Sequence, residues 1–159
     1  MSVTRESMEA AIRGYFDACN EADAAKMMSF FTTDAVHLFP EGTAFGALRG
    51  ARAIADCWVL CVRKFGSWWT VDRVIVDPGR REAVIEWTHF KTKLGGYLRG
   101  DEWYRFDKDG LICEIKAYYA CPTVDGGARY EIGGFDYKAL GYPLTAPQEA
   151  FDPARGSGH

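Results

Sequence analysis

The chain has 159 residues, of which 48% are hydrophobic and 26% charged, and its formal net charge is −3. That length suffices for one domain with a substantial core, and the composition excludes a chain disordered throughout. Acidic and basic residues are interspersed without a basic stripe, which argues against a nucleic-acid partner, and no apolar run approaches the roughly 20 residues of a membrane span.

In chain order, the opening MSVTRESMEA lacks the apolar core of a secretory signal, so a cytoplasmic location is expected. Met8, Ile12, Tyr15, Phe16 and Cys19 then recur on one helical face, which predicts a helix over about 4–20. Asp23 can cap a second helix carrying Ala24, Met27, Met28 and Phe31. Residues 35–39 read as a short strand stopped by Pro40, followed by an irregular connection with Glu41-Gly42, Gly46 and Gly50. A third helix over 51–65 is apolar on more than one side through Ile54, Trp58, Cys61, Val62 and Phe65, which places it beneath a sheet.

From Trp68 the apolar period changes to two, predicting strands near 68–77, 82–92, 97–107 and 111–120 with turns at Pro78-Gly79, Gly95-Gly96 and Asp109-Gly110. Helices followed by an antiparallel meander make an α+β fold, one face of a bent sheet being covered by the helices. The stretch 121–159 holds Gly126, Gly127, Gly133, Gly134, Pro143, Pro147 and Pro153 with Tyr130, Phe135, Tyr137 and Tyr142 among them. It is too aromatic for a free linker, so it is expected to pack on the domain or on a partner subunit, with the final GSGH frayed. Five cysteines, Cys19, Cys57, Cys61, Cys113 and Cys121, read as reduced and buried thiols. Cys57 and Cys61 share a helix face without a second ligand pair, so packing is preferred to a metal site.

Taken together, Gly14-Tyr15-Phe16 leading to Asn20-Glu21-Ala22-Asp23, Phe30-Phe31-Thr32-Thr33-Asp34-Ala35-Val36 ending at Pro40, and Asp109-Gly110-Leu111-Ile112 with Tyr118-Tyr119 resemble the nuclear transport factor 2-like superfamily. That superfamily includes ketosteroid isomerases, scytalone dehydratase-type enzymes, limonene epoxide hydrolases and SnoaL-like polyketide cyclases. The likeness spans about residues 5–120. It implies a cone-shaped, strongly curved antiparallel sheet wrapped on three N-terminal helices, a cystatin-like α+β barrel with a central pocket in residues 1–120 and an extension over 121–159. Members put that pocket to different uses, so the chemistry has to be argued from the residues.

Tyr15 matches the position where ketosteroid isomerases carry a phenol that hydrogen-bonds substrate; the alternative is a core tyrosine whose hydroxyl is merely satisfied. Strand parity puts Ile85, Trp87 and His89 on one face, which the resemblance makes the inner one. If parity shifts, His89 moves to the surface. Glu102 falls where those isomerases hold the protonated acid of their oxyanion hole, and a slip of one residue would give that place to Asp101. His37, beside Ala35 and Phe39, is a second imidazole. The departure from the isomerases lies at Phe39, which stands where they place their catalytic Asp, so steroid isomerisation by that base is not expected.

Four catalytic candidates follow: Tyr15, His37, His89 and Glu102. A histidine would remove a proton while Tyr15 and Glu102 stabilise or protonate the oxygen. Phe39, Trp58, Trp69, Trp87, Tyr104 and Tyr119 would line a substrate pocket, although aromatic stripes also serve ordinary cores. Glu114 and Lys116 face the outer sheet surface, where related folds dimerise, or else form a solvated cross-strand pair. No nucleophile elbow, phosphate loop or zinc-ligand spacing is present, and neither a metal nor a cofactor is expected. The chain thus reads as a cofactor-independent lyase or isomerase, dehydratase-like, acting on a small hydrophobic cyclic or aromatic hydroxy or keto compound, in a homodimer or higher homo-oligomer. Its alternatives are a non-catalytic binder of an apolar metabolite, a polyketide-cyclase or epoxide-opening enzyme, and a protein-interaction adaptor.

Overall fold

Helix α1 (Arg5–Glu21) begins at a reciprocal cap: Thr4 Oγ1 accepts from the Ser7 N–H at 3.1 Å and Ser7 Oγ accepts from the Thr4 N–H at 2.9 Å. It ends at Ala22 in the left-handed region (φ 56°), and one residue later Asp23 caps α2 (Ala24–Met28) by accepting from the Lys26 N–H at 2.9 Å. The third helix, α3 (Ala51–Phe65), stops at Gly66 (φ 65°). Only glycine fits there, because a Cβ would meet Thr92 Oγ1 at 2.2 Å in addition to the strained backbone. The computed structural model describes residues 3–40, 43, 45–119 and 132–157. The expectations for Glu41-Gly42, Cys121, Gly126-Gly127 and Tyr130 lie outside the described residues.

Six strands form one curved, unclosed sheet: β1 (Phe31–Leu38), β2 (Ala47–Arg49), β3 (Ser67–Asp77), β4 (Glu82–Lys91), β5 (Tyr97–Phe106) and β6 (Ile112–Tyr118). Their spatial order is β2-β1-β6-β5-β4-β3. The meander from β3 to β6 is antiparallel, as its turn signals imply, whereas β1 runs parallel to β6, so the sheet is mixed. Three local differences from the sequence reading have physical causes. Phe31 opens β1 instead of closing the stripe of α2, since Ser29 ends that helix and a register shift between Phe31 and Val36 carries the polar Thr32-Thr33-Asp34 across the sheet start. β2 has only three residues, too few for a period to register. Cys57 and Cys113 are half-buried, unlike Cys19 and Cys61, which are buried free thiols.

The helices lie on the concave face. Met8, Ile12 and Tyr15 of α1 and Ile54 and Val62 of α3 are buried against Ile85, Ile112 and Ile115 of the sheet. Each such aliphatic side chain contributes about 1.5–3 kcal/mol by leaving water. The convex face is covered in part by residues 132–157, where the Arg99 guanidinium donates to the Pro143 carbonyl at 3.0 Å and lies over the Tyr137 ring at 4.4 Å; the same segment reaches the end of α1 and the start of β3, where Arg155 donates to the Asn20 carbonyl at 3.3 Å and to that of Ser67. Among the described residues no helix is long and apolar enough to cross a membrane.

Candidate functional site

Between α1, α3 and the concave sheet face lies a cavity of about 230 Å³. One tryptophan reaches it from each of three elements: Trp58 from α3, Trp69 from β3 and Trp87 from β4. Trp58 and Trp69 meet edge to face with centroids 5.5 Å apart. Trp69 is fixed from behind, because the Asn20 carboxamide bridges its backbone, donating to the carbonyl and accepting from the N–H, both at 2.8 Å. Trp87 lies flat on Gly100, its cross-strand partner in β5, where a Cβ would come within 2.5 Å of the ring. Its Nε1 is buried and has no hydrogen-bond partner among the described residues.

At the deep end, Tyr15 is buried and its oxygen accepts from Trp58 Nε1 at 2.6 Å, which leaves the phenol proton to be donated. Burial first, then the Cys19 thiol and the Glu102 carboxyl, push its pKa well above the usual tyrosine value, so it stays protonated. Glu102 lines the same cavity at 6% exposure. Tyr104 donates its hydroxyl to Oε2 of Glu102 at 2.5 Å, and Oε1 stands 3.2 Å from Nε2 of His37. That last approach is an ion-pair distance but is out of line for a hydrogen bond, and neither ring nitrogen of His37 has a hydrogen-bond partner among the described residues. His37 is 1% exposed, stacked on Phe39 at 4.2 Å, and stands behind the cavity wall with Tyr104.

His89 does line the cavity, stacked on Trp69 at 4.5 Å, with Nε2 2.8 Å from Ser67 Oγ. Burial, aided by the nearby Lys91 ammonium, pushes its pKa down to about 3, so the imidazole is neutral at ordinary pH. The structure therefore brings Tyr15, Glu102 and His89 to one cavity with Phe39, Trp58, Trp69, Trp87 and Tyr119, and keeps His37 and Tyr104 behind Glu102. Asp101 faces the opposite side of the sheet, in the cleft with Glu86 and Arg99. Sequence reasoning missed Lys91, Phe45 and Leu98 on the wall and the clamp made by Asn20. Lys91 had a signal, since it continues the odd-numbered face of Trp87 and His89; the Phe45 and Asn20 placements depend on tertiary contacts alone.

Three helices under a curved, open sheet, with an aromatic cavity between them, define an α+β cone of the nuclear transport factor 2-like class. The chain belongs to the family described as "SnoaL-like domain", which it matches over residues 12–115. No curated protein matches its sequence. Among solved structures it is similar to a protein of unknown function with a cystatin-like fold from Methylobium petroleophilum PM1, 50% identical over 93% of this chain and 98% of that one, with a TM-score of 0.74. A Mycobacterium tuberculosis protein in complex with estradiol-17β-hemisuccinate is 15% identical (72% and 94% covered, TM-score 0.63). A putative polyketide cyclase from Sinorhizobium meliloti is 22% identical (70% and 98% covered, TM-score 0.58).

Proposed function

We propose that this protein is a cofactor-independent acid–base lyase or isomerase, dehydratase-like, acting on a small hydrophobic cyclic or aromatic hydroxy or keto compound. The observation that carries the reading is Glu102, a carboxyl buried in an aromatic cavity that the Tyr15 phenol also lines. An engineered apolar cavity of about 150 Å³ holds benzene, so about 230 Å³ suits a substituted or two-ring compound. The rings would lie among Trp58, Trp69 and Trp87.

In the dehydration, Glu102 takes a proton from the carbon next to the substrate carbonyl while the Tyr15 hydroxyl bonds the oxygen on which charge develops. The resulting enolate expels the β-hydroxyl, which leaves as water with the proton returned by Glu102. Returning the proton to a different carbon gives isomerisation. Tyr104 acts through Glu102 as a positioning residue, its hydroxyl holding Oε2, while His37 stands 3.2 Å from Oε1 without a hydrogen bond. This departs from the expectation that a histidine is the base. His37 is walled off from the cavity, and an imidazole with a pKa of about 3 is a feeble base at neutral pH, so His89 serves as a hydrogen-bonding group that stays uncharged.

The same inaccessible and weakened imidazoles favour a second reading, a binding protein for an apolar metabolite. The steroid ester bound by the Mycobacterium tuberculosis protein is in line with that use of the fold, and the putative polyketide cyclase keeps a cyclisation within the first reading. Around this site we place residues 1–120 as the pocket domain and 121–159 as its extension, in a cytoplasmic homodimer or higher homo-oligomer joined through the convex face, where Trp103 is 45% exposed. Incubating the protein with a panel of cyclic hydroxyketones and following products by mass spectrometry separates the two readings. Turnover should fall about 10²–10⁴-fold in Glu102→Gln. A ligand bound unchanged by both proteins would establish the binding reading.

A further inference from the structure

We propose that the ligand of this cavity is an organic anion: a ring compound with a carboxylate or comparable acidic group at the end away from its reacting oxygen, held by Lys91. The inference rests on the reading of the cavity as a small-molecule site and adds the charge of the molecule it takes. Lys91 is the last residue of β4 and lines the cavity on the same inward face as Trp87 and His89. Among the described residues no carboxylate lies within 4.0 Å of its ammonium, which stands 5.8 Å from the centroid of the Phe65 ring.

An inward lysine needs a reason. Inward charges protect sheet edges from pairing with other chains, but β4 lies between β3 and β5 and has no free edge. Lys91 is half-buried at an aromatic cavity and faces no carboxylate there, so an incoming anion would supply a charge partner that the described residues do not. Its field reaches the cavity wall, because after burial it is the second influence holding His89 neutral.

Lys91 and Glu102 also divide the cavity by polarity. Ile85 stands opposite Glu102 in the sheet, and Lys91 follows six residues further along the same strand. That is at most about 20 Å of backbone, shortened by two long side chains to the order of 10 Å, the length of a two-ring compound. Phe45, Phe65 and Leu98, which border the cavity with Lys91, are all only half-buried, whereas Tyr15, Cys19 and Glu102 are buried, so the ammonium stands at the mouth. A molecule entering ring first would leave its acidic end there and bring its far oxygen to Tyr15 and Glu102. The carboxylate of Glu102 would repel the reverse orientation.

The test is calorimetric titration of the protein with 6-hydroxy-2-naphthoate and with its methyl ester, a neutral compound of similar size, on wild type, Lys91→Met and Lys91→Arg. The acid should bind wild type about tenfold more tightly than the ester at low salt. That preference should vanish in Lys91→Met, persist in Lys91→Arg and shrink as salt is raised. Retained ester binding shows that the Met variant is folded. Equal binding of acid and ester by wild type, or a preference unchanged in Lys91→Met, overturns this inference alone. Failure of both compounds to bind overturns it together with the small-molecule reading of the cavity.

Discussion

The two faces of one sheet bury polar groups in opposite ways. On the convex face, Asp72 accepts from Thr70 at 2.7 Å and from Thr88 at 2.5 Å, Arg99 donates to Thr88 at 2.6 Å and lies 3.9 Å from Asp72, and its other nitrogen reaches the Pro143 carbonyl. Every member has a partner within the chain. On the concave face, among the described residues, His37 stands beside Glu102 without a hydrogen bond and Trp87 Nε1 is unpartnered, while the Tyr15 hydroxyl accepts from Trp58 with the Cys19 thiol beside it. A buried polar group left without a partner costs about 1–3 kcal/mol, so such capacity persists where something else uses it. A closed cluster is a structural device, and an open one is a site.

That contrast can be broken by removing one member from each face. Arg99→Met should be the most damaging, because it strands the buried Asp72 carboxyl, whose pKa burial already raises against the pull of Thr88, Thr70 and Arg99 itself. A loss of about 3–5 kcal/mol is expected in urea unfolding. A loss below about 1 kcal/mol would show that the convex cluster does not hold the fold.

A smaller effect belongs to His89. The native protein keeps it neutral down to about pH 3, whereas an unfolded chain takes up that proton near the ordinary value of 6.5. Its folded pKa being depressed, the unfolded state binds more protons between these values, so stability falls as pH drops from about 6.5 towards 3. The slope is at most about 1.4 kcal/mol per pH unit, and it should flatten in His89→Gln when unfolding is compared at pH 7 and pH 5. An unchanged slope would mean that His89 is hydrated and its burial unimportant.

Local signals carried much of the architecture. Asp23 and the Asp109-Gly110 turn mark boundaries that backbone chemistry imposes, and strand parity put Trp87 and His89 on one face, which the family resemblance made the inner one and to which it added Glu102. The pairing of β1 with β6 and the approach of His37 to Glu102 join residues 65 or more positions apart, which no local period encodes. The convex cluster was illegible for a related reason. Asp72 sits at the register shift between Val71 and Arg73, and its partners Thr88 and Arg99 are residue types that alternation would assign to solvent.

The central claim is that the concave polar groups act on the oxygen of a bound molecule. The most direct measurement is the infrared carbonyl stretch of 1-tetralone bound in the cavity, compared between wild type and Tyr15→Phe. The account predicts a shift to lower frequency on binding to wild type, produced by the Tyr15 hydroxyl, and its loss in Tyr15→Phe with the ketone still bound. A bound carbonyl that absorbs as it does in an apolar solvent, or a shift that survives Tyr15→Phe, would contradict it.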